Sequence, residues 1–183
     1  LATAVNMSGG GTVQDYAGFN TRAAFVSWAS GKTPAVGAVI FAADDAYRYI
    51  GSGTAISDLP GWVPEGQPYL SHWPYTVAGL IAAMTYCKNG KLMIPSGVWA
   101  YTLTSDLQMN NMDNLVIEGE GQGISFLSFT HGLNFLRVTA GLNFSIRHVS
   151  ILMYCTFVGT SNTAFFAYKA NDFVMQFCDY ITD

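Results

Sequence analysis

Arg147 and His148 stand side by side in the chain. A histidine titrates near neutral pH and an adjacent cation stabilises an anion, so the pair has the residue types of a proton shuttle. Successive strand residues point to opposite faces, which turns at most one of the two toward solvent and disfavours a joint catalytic role. Carboxylates offer a second chemistry. Glycoside cleavage takes two carboxyl groups, about 5 Å apart for retention or roughly 6.5 to 9.5 Å apart for inversion, and elimination takes a base beside an acid-stabilising cation. The chain supplies Glu118, Glu120, Asp106, Asp113, Asp172, Asp179 and Asp183. Asp106 and Asp113 flank a turn and read as solvated. His131 stands in a turn and reads as exposed, and His72, between Ser71 and Trp73, reads as a packing and hydrogen-bonding residue. Asp179 and Asp183 stay open between roles. Trp99, Tyr101, Tyr154 and Tyr168 have faces that stack on sugar rings, and core filling and subunit contacts use the same residues. On these grounds no catalytic or substrate-binding residue is assigned.

Other chemistries are excluded by spacing. Ser8 to Gly11 has no preceding strand and no following Lys at the position a phosphate loop needs. Gly119, Gly121 and Gly123 lack the dinucleotide fingerprint. Cys87, Cys155 and Cys178 show neither a CxxC pair nor Cys/His metal spacing, and read as buried free thiols suited to a reducing assembly compartment. Neither cofactor nor metal is expected. Charged residues make up 11% of the 183 and the net charge is −4, which speaks against a nucleic-acid partner, whose binding relies on clustered Lys and Arg. Apolar runs such as Val77 to Met84 stop well short of the roughly 20 residues needed to cross a bilayer, so no membrane insertion is expected. Half of the chain is hydrophobic, enough for a substantial core.

The elements that must position these groups are written as a repeat. Asn114-Leu115-Val116-Ile117-Glu118, Asn143-Phe144-Ser145-Ile146-Arg147 and Asp172-Phe173-Val174-Met175-Gln176 each set a polar side-chain carbonyl before alternating apolar residues, with a step of 143 − 114 = 172 − 143 = 29 residues. A fixed step of that order is the spacing of a solenoid, because one unit cannot bury its apolar face alone. Asp172 then occupies a ladder position with Asn114 and Asn143, where side chains hydrogen-bond from one repeat to the next.

Before the repeats, residues 1–11 read as an arm or linker and 12–73 as a small α+β module. The module begins with a helix capped by Asn20 and closed by Gly31, with Phe25 and Trp28 on one face. Val39-Ile40-Phe41 and Tyr47 to Ile50 form a hairpin about Asp44-Asp45, and Thr54 to Pro64 is a fixed loop packed by Leu59 and Trp62. From 74 to 183 the expectation is the start of a right-handed parallel β-helix. A helix capped by Thr76 and ended by Gly90, with Leu80, Ile81, Met84 and Cys87 on one stripe, covers its N-terminal end. Strands follow at 91–97, at Trp99, Tyr101 and Leu103, and at Leu115 and Ile117. Later ones are read at Ile124 and Phe126, Phe144 and Ile146, and Val149, Ile151 and Met153. The chain begins at Leu1 without an initiator Met, and Asp172 to Asp183 reads as the start of another repeat, so a piece of a longer polypeptide is expected.

Lys91-Leu92-Met93-Ile94-Pro95-Ser96-Gly97-Val98-Trp99-Ala100-Tyr101, followed by Asn114 to Gly121, resembles the opening rungs of pectate-lyase-like β-helices, a superfamily that includes bacteriophage tailspikes and glycan depolymerases. The stretch from Thr21-Arg22-Ala23-Ala24-Phe25 through Ala55-Ile56-Ser57-Asp58-Leu59-Pro60-Gly61-Trp62-Val63-Pro64 to His72-Trp73 resembles the small module before the β-helix of many tailspikes. The resemblance implies the N-terminal portion of a phage tailspike or tail fibre protein. Such a protein is a homotrimer assembled in the host cytoplasm, attached to a virion tail or baseplate protein, and it recognises or degrades host surface polysaccharide. It also gives the Glu118-Gly119-Glu120-Gly121 turn a structural role. Two alternatives are a depolymerase whose active site lies outside or at the edge of this segment, and a secreted bacterial β-helix adhesin.

Overall fold

The computed structural model describes residues 18–43, 45–104, 107–110, 112–121, 123–130, 136–139, 145–154, 165–168, 174–176 and 179–182. The described residues are mainly β, with two α-helices, and fall into two compact units, Leu1–Gly66 and Gln67–Asp183. Along the chain the two units meet at Gly66, and Tyr69 bridges Met93 while Met93 N–H donates to Pro68 O at 2.9 Å. Those contacts tie 67–73 to the second unit.

In the first unit, α1 (Arg22–Ala29) is capped by Thr21, whose hydroxyl accepts from Ala24 N–H at 3.2 Å. The cap is therefore one residue later than the expected Asn20, since the side chain that reaches the third amide is the one that satisfies an orphan donor. Strands β1 (Val39–Ala42) and β2 (Asp45–Tyr49) pair antiparallel with Ala42 opposite Asp45, and Ala43 at φ 53° opens the tight turn. Trp62–Pro64, expected as part of a loop, is strand β3 on the other side of β2. Helix and sheet meet through aromatics: Phe25 lies 4.9 Å from Tyr47 and 5.0 Å, edge-on, from Trp62, ring centre to ring centre. All three rings are buried. Arg22 grips Asp58 with both terminal guanidinium nitrogens, one at 2.8 Å, and ties the helix to the loop before β3. Burial raises the Tyr47 phenol far above its ordinary value, helped by the charge of Asp45, so it stays neutral.

The second unit begins with a 3₁₀ turn at Leu70–His72 and α2 (Val77–Tyr86), capped by Thr76, whose hydroxyl accepts from Gly79 N–H at 3.0 Å. A Cβ at Gly79 would stand 2.0 Å from Pro74 O, so only glycine lets the helix start so close to the preceding chain. Leu80, Ala83 and Met84 form its buried stripe.

Strands then occupy three sheets in rotation. One sheet holds β4 (Lys91–Ile94), β7 (Val116–Gly119), β10 (Ser145–Arg147) and β13 (Val174–Gln176). Another holds β5 (Gly97–Thr102), β8 (Ser125–Thr130), β11 (Ser150–Tyr154) and β14 (Asp179–Thr182). The last holds β6 (Gln108–Asn110), β9 (Leu136–Thr139) and β12 (Phe165–Tyr168). Every pairing in them is parallel. One strand from each sheet makes a level, and the next three strands lie on it. Val116, Ser145 and Val174 stand in register, 29 residues apart, whereas Lys91 is matched to Val116 at a step of 116 − 91 = 25. Leu92, Ile117 and Ile146 stack inside the first sheet, each almost fully buried. In β8 the inward residues are Ser125, Leu127 and Phe129, while Ile124 is half exposed. The expected Ile124 and Phe126 pattern is thus one residue out of phase.

The corner after the first sheet decides that phase. Ser125 Oγ donates to Ile94 O and accepts from Glu120 N–H, both at 2.9 Å, and Ser150 Oγ accepts from Gly123 N–H at 2.9 Å. Two buried hydroxyls therefore stitch adjacent levels where the chain turns, and satisfying corner backbone groups outweighs burying Ile124. Gly119 leaves room for this: a Cβ there would lie 2.2 Å from His148 O.

Candidate functional site

The outward face of the first sheet brings together three of the residues singled out above, Glu118, Arg147 and His148. Arg147 in β10 is the Cα partner of Glu118 in β7, and Met93 in β4 flanks Glu118 on the other side. Lys91, two residues before Met93, reaches diagonally to form an ion pair with the Glu118 carboxylate. His148 Nδ1 stands 3.6 Å from Glu118 Oε1. Glu118 is about one-fifth exposed while Lys91 and His148 remain open to solvent at 44% and 39%, so the carboxylate sits as the floor of a cationic patch. The hydrogen bond from Lys91 holds the Glu118 carboxyl below its ordinary range. Partial burial opposes this, and the charges of Lys91, His148 and Arg147 reinforce it.

Arg147 and His148 both face this carboxylate, contrary to the alternation argument. His148 lies just past β10 with φ 55°, and that left-handed kink breaks the strand's period and brings its ring back to the same side. Arg147 Nε is buried and, among the described residues, has no hydrogen-bond partner. Lys91 was missed as a member. The 29-residue step carries Glu118 back to Asn89, whereas the observed first step of 25 residues sets it opposite Met93, with Lys91 diagonal to it.

Chemically the cluster holds one fixed carboxylate among cations. Glu118 stays ionised and serves as a charge anchor, not as a proton donor. Glu120 is no second carboxylate for it, since its Oε2 accepts from Ser96 N–H at 3.2 Å at the corner. Among the described residues no group of three or more His, Cys, Asp and Glu side chains is arranged to hold a metal ion.

The remaining candidates are separated. Asp113 pairs with Lys88 at 3.2 Å. His72 is buried in the 3₁₀ turn, its Nδ1 3.0 Å from Tyr69 N. Tyr101 is buried and stacked on Phe129, its phenol raised well above the ordinary value by burial. Trp99 is partly exposed, donates to Pro95 O at 3.2 Å and meets Tyr75 edge-on at 5.4 Å, and Tyr75 is 55% exposed. Tyr75, not among the rings singled out from the sequence, is thus the solvent-open partner of Trp99. Cys87 is a buried thiol pushed up to about 12 by burial. Asp106, His131, Asn143, Asp172, Asp183, Cys155 and Cys178 lie outside the described residues, and so do the side chains of Tyr154, Tyr168 and Asp179. No helix among the described residues is long and apolar enough to cross a membrane.

The first unit has its own concavity, a cleft of about 610 Å³ between the end of α1 and the loop before β3, lined by Tyr49, Trp62, Lys32, Asp58 and the Gly51–Gly53 segment. A scan against protein-family models finds no match, and neither the curated proteins nor the solved structures hold a significant relative of the chain.

Proposed function

We propose that the second unit is the start of a right-handed parallel β-helix with α2 as its end cap. On this reading the chain is the N-terminal portion of a homotrimeric phage tailspike or tail fibre protein, which attaches to the virion tail and recognises host surface polysaccharide. The observation that carries the reading is the strand order: three parallel sheets entered in rotation, with buried residues in register from level to level. A shaft of this kind pairs its backbone donors and acceptors between levels and exposes few edges, which suits a protein working outside the cell. Solvent-open Tyr75 against partly exposed Trp99, and the cations about Glu118, supply stacking and charge for sugars.

The test has two arms. Sedimentation equilibrium reports chain number, and a mass other than three chains removes the trimer. Binding to surface polysaccharide from candidate hosts, with Tyr75→Ala and Trp99→Ala as controls, reports recognition, and equal binding by the controls removes those rings from it. No oligosaccharide release is expected from this segment, because Glu118 is held by Lys91 and Glu120 by the corner. Release would favour the depolymerase reading.

A further inference from the structure

Asn89-Gly90 is the only Asn-Gly pair in the chain, and it opens the first level. Asn-Gly is the dipeptide most prone to intramolecular loss of the side-chain amide, because glycine has no Cβ to hinder its own nitrogen. Asn89 adopts φ 63°, the left-handed region that asparagine tolerates better than most residues. Around it hydrogen bonds engage the nucleophilic N–H and hold the side-chain amide in place. Gly90 N–H, the nucleophile, donates to Cys87 O at 2.9 Å. Asn89 Oδ1, on the carbon to be attacked, accepts from Asn114 Nδ2 at 2.9 Å. Asn89 N–H donates to Asp113 O at 2.9 Å, so the second level pins the residue by backbone and side chain together.

We propose that Asn89 is a deamidation site guarded by the second level, with Asn114 as the guard. When the turn opens, Gly90 nitrogen gives its proton to solvent base and bonds to Asn89 Cγ, and the side-chain nitrogen leaves as ammonia. Water then opens the five-membered imide at either carbonyl and yields aspartate or isoaspartate, with no change of oxidation state. Aspartate keeps the acceptor for Asn114 and adds a negative charge beside the Lys88 and Asp113 ion pair. Isoaspartate inserts a methylene into the backbone, displaces the left-handed turn and unseats the bond to Asp113 O. Modification thus acts on the first contact between the opening strand and the level above it.

The experiment follows conversion at residue 89 by peptide mass spectrometry after chymotryptic digestion, in mildly alkaline buffer, with isoaspartate scored separately. The folded wild-type chain is expected to convert at least about tenfold more slowly than the same chain in urea, because reaction requires local opening. Asn114→Asp and Asn114→Gly suit the left-handed backbone, remove the amide donor, and are expected to convert several-fold faster than wild type while folded. Gly90→Ala is expected to slow conversion in urea. Equal rates in the folded and unfolded wild-type chain overturn the guarding, and no conversion in urea overturns the site. Wild-type rates in both folded Asn114 variants overturn the role of Asn114. Should those variants fail to fold, the two wild-type rates decide.

Discussion

The two units solve the same burial problem in opposite ways. The first concentrates it: Phe25, Tyr47 and Trp62 meet at ring separations near 5 Å, and one helix, three short antiparallel strands and a bidentate Arg22 to Asp58 bridge are arranged about them. The second distributes it. Leu92, Ile117 and Ile146 each cover the one beneath, and Ser125 and Ser150 close the corners. A concentrated core is vulnerable at a few large side chains. A stacked one is vulnerable wherever a level is interrupted, because each level contacts only its neighbours.

The sharpest way to break the comparison is a charge in the stack. Ile146→Asp is expected to cost more than about 4 kcal/mol and to leave no folded second unit. Hydrogen exchange should show protection lost across 91–151 and retained in 18–66; loss in both units together would mean that they do not fold separately. Phe25→Ala is the converse. It should cost about 3 to 5 kcal/mol by opening a cavity in the first unit, with exchange of the second unchanged.

Gly119→Ala sharpens the account of the corner. The added Cβ meets His148 O, and a loss of about 1 to 3 kcal/mol is expected by chemical denaturation. An unchanged midpoint would show that the corner has slack. The smallest effect belongs to the charged face. Glu118→Gln should cost less than about 1 kcal/mol at neutral pH, since its partners are partly solvated. Because the folded-state carboxyl sits below its ordinary value of 4.5, its contribution is present above that value and is lost as pH falls through the depressed one. The stability gap between Glu118→Gln and wild type should therefore be full at pH 7 and close in strongly acidic buffer. A gap that stays constant would mean that the charge on Glu118 contributes nothing.

Much of the architecture was legible in residue spacing. Val116, Ser145 and Val174 meet at the 29-residue step because identical levels need identical path lengths. The helices were legible from their apolar stripes and, for α2, from the Thr76 cap, whereas the α1 cap was read at Asn20 and falls on Thr21. Phase was not: Ile124 and Ser125 compete for the inward position, and the winner depends on a hydrogen bond to Ile94 O, 31 residues away. The short strands β6, β9 and β12 carry three or four residues each, too few to show a period.

Of the charged face, Glu118, Arg147 and His148 were legible as residue types but not as neighbours. Sequence by itself determined the step, the mainly β class and the polar residue at the head of each repeat, because those depend on local period and on distances along the chain. Only the tertiary structure decided that the first step is four residues shorter, that His148 turns back, and that Lys91 meets Glu118. Those outcomes depend on which levels lie side by side and on a kink that no local pattern encodes.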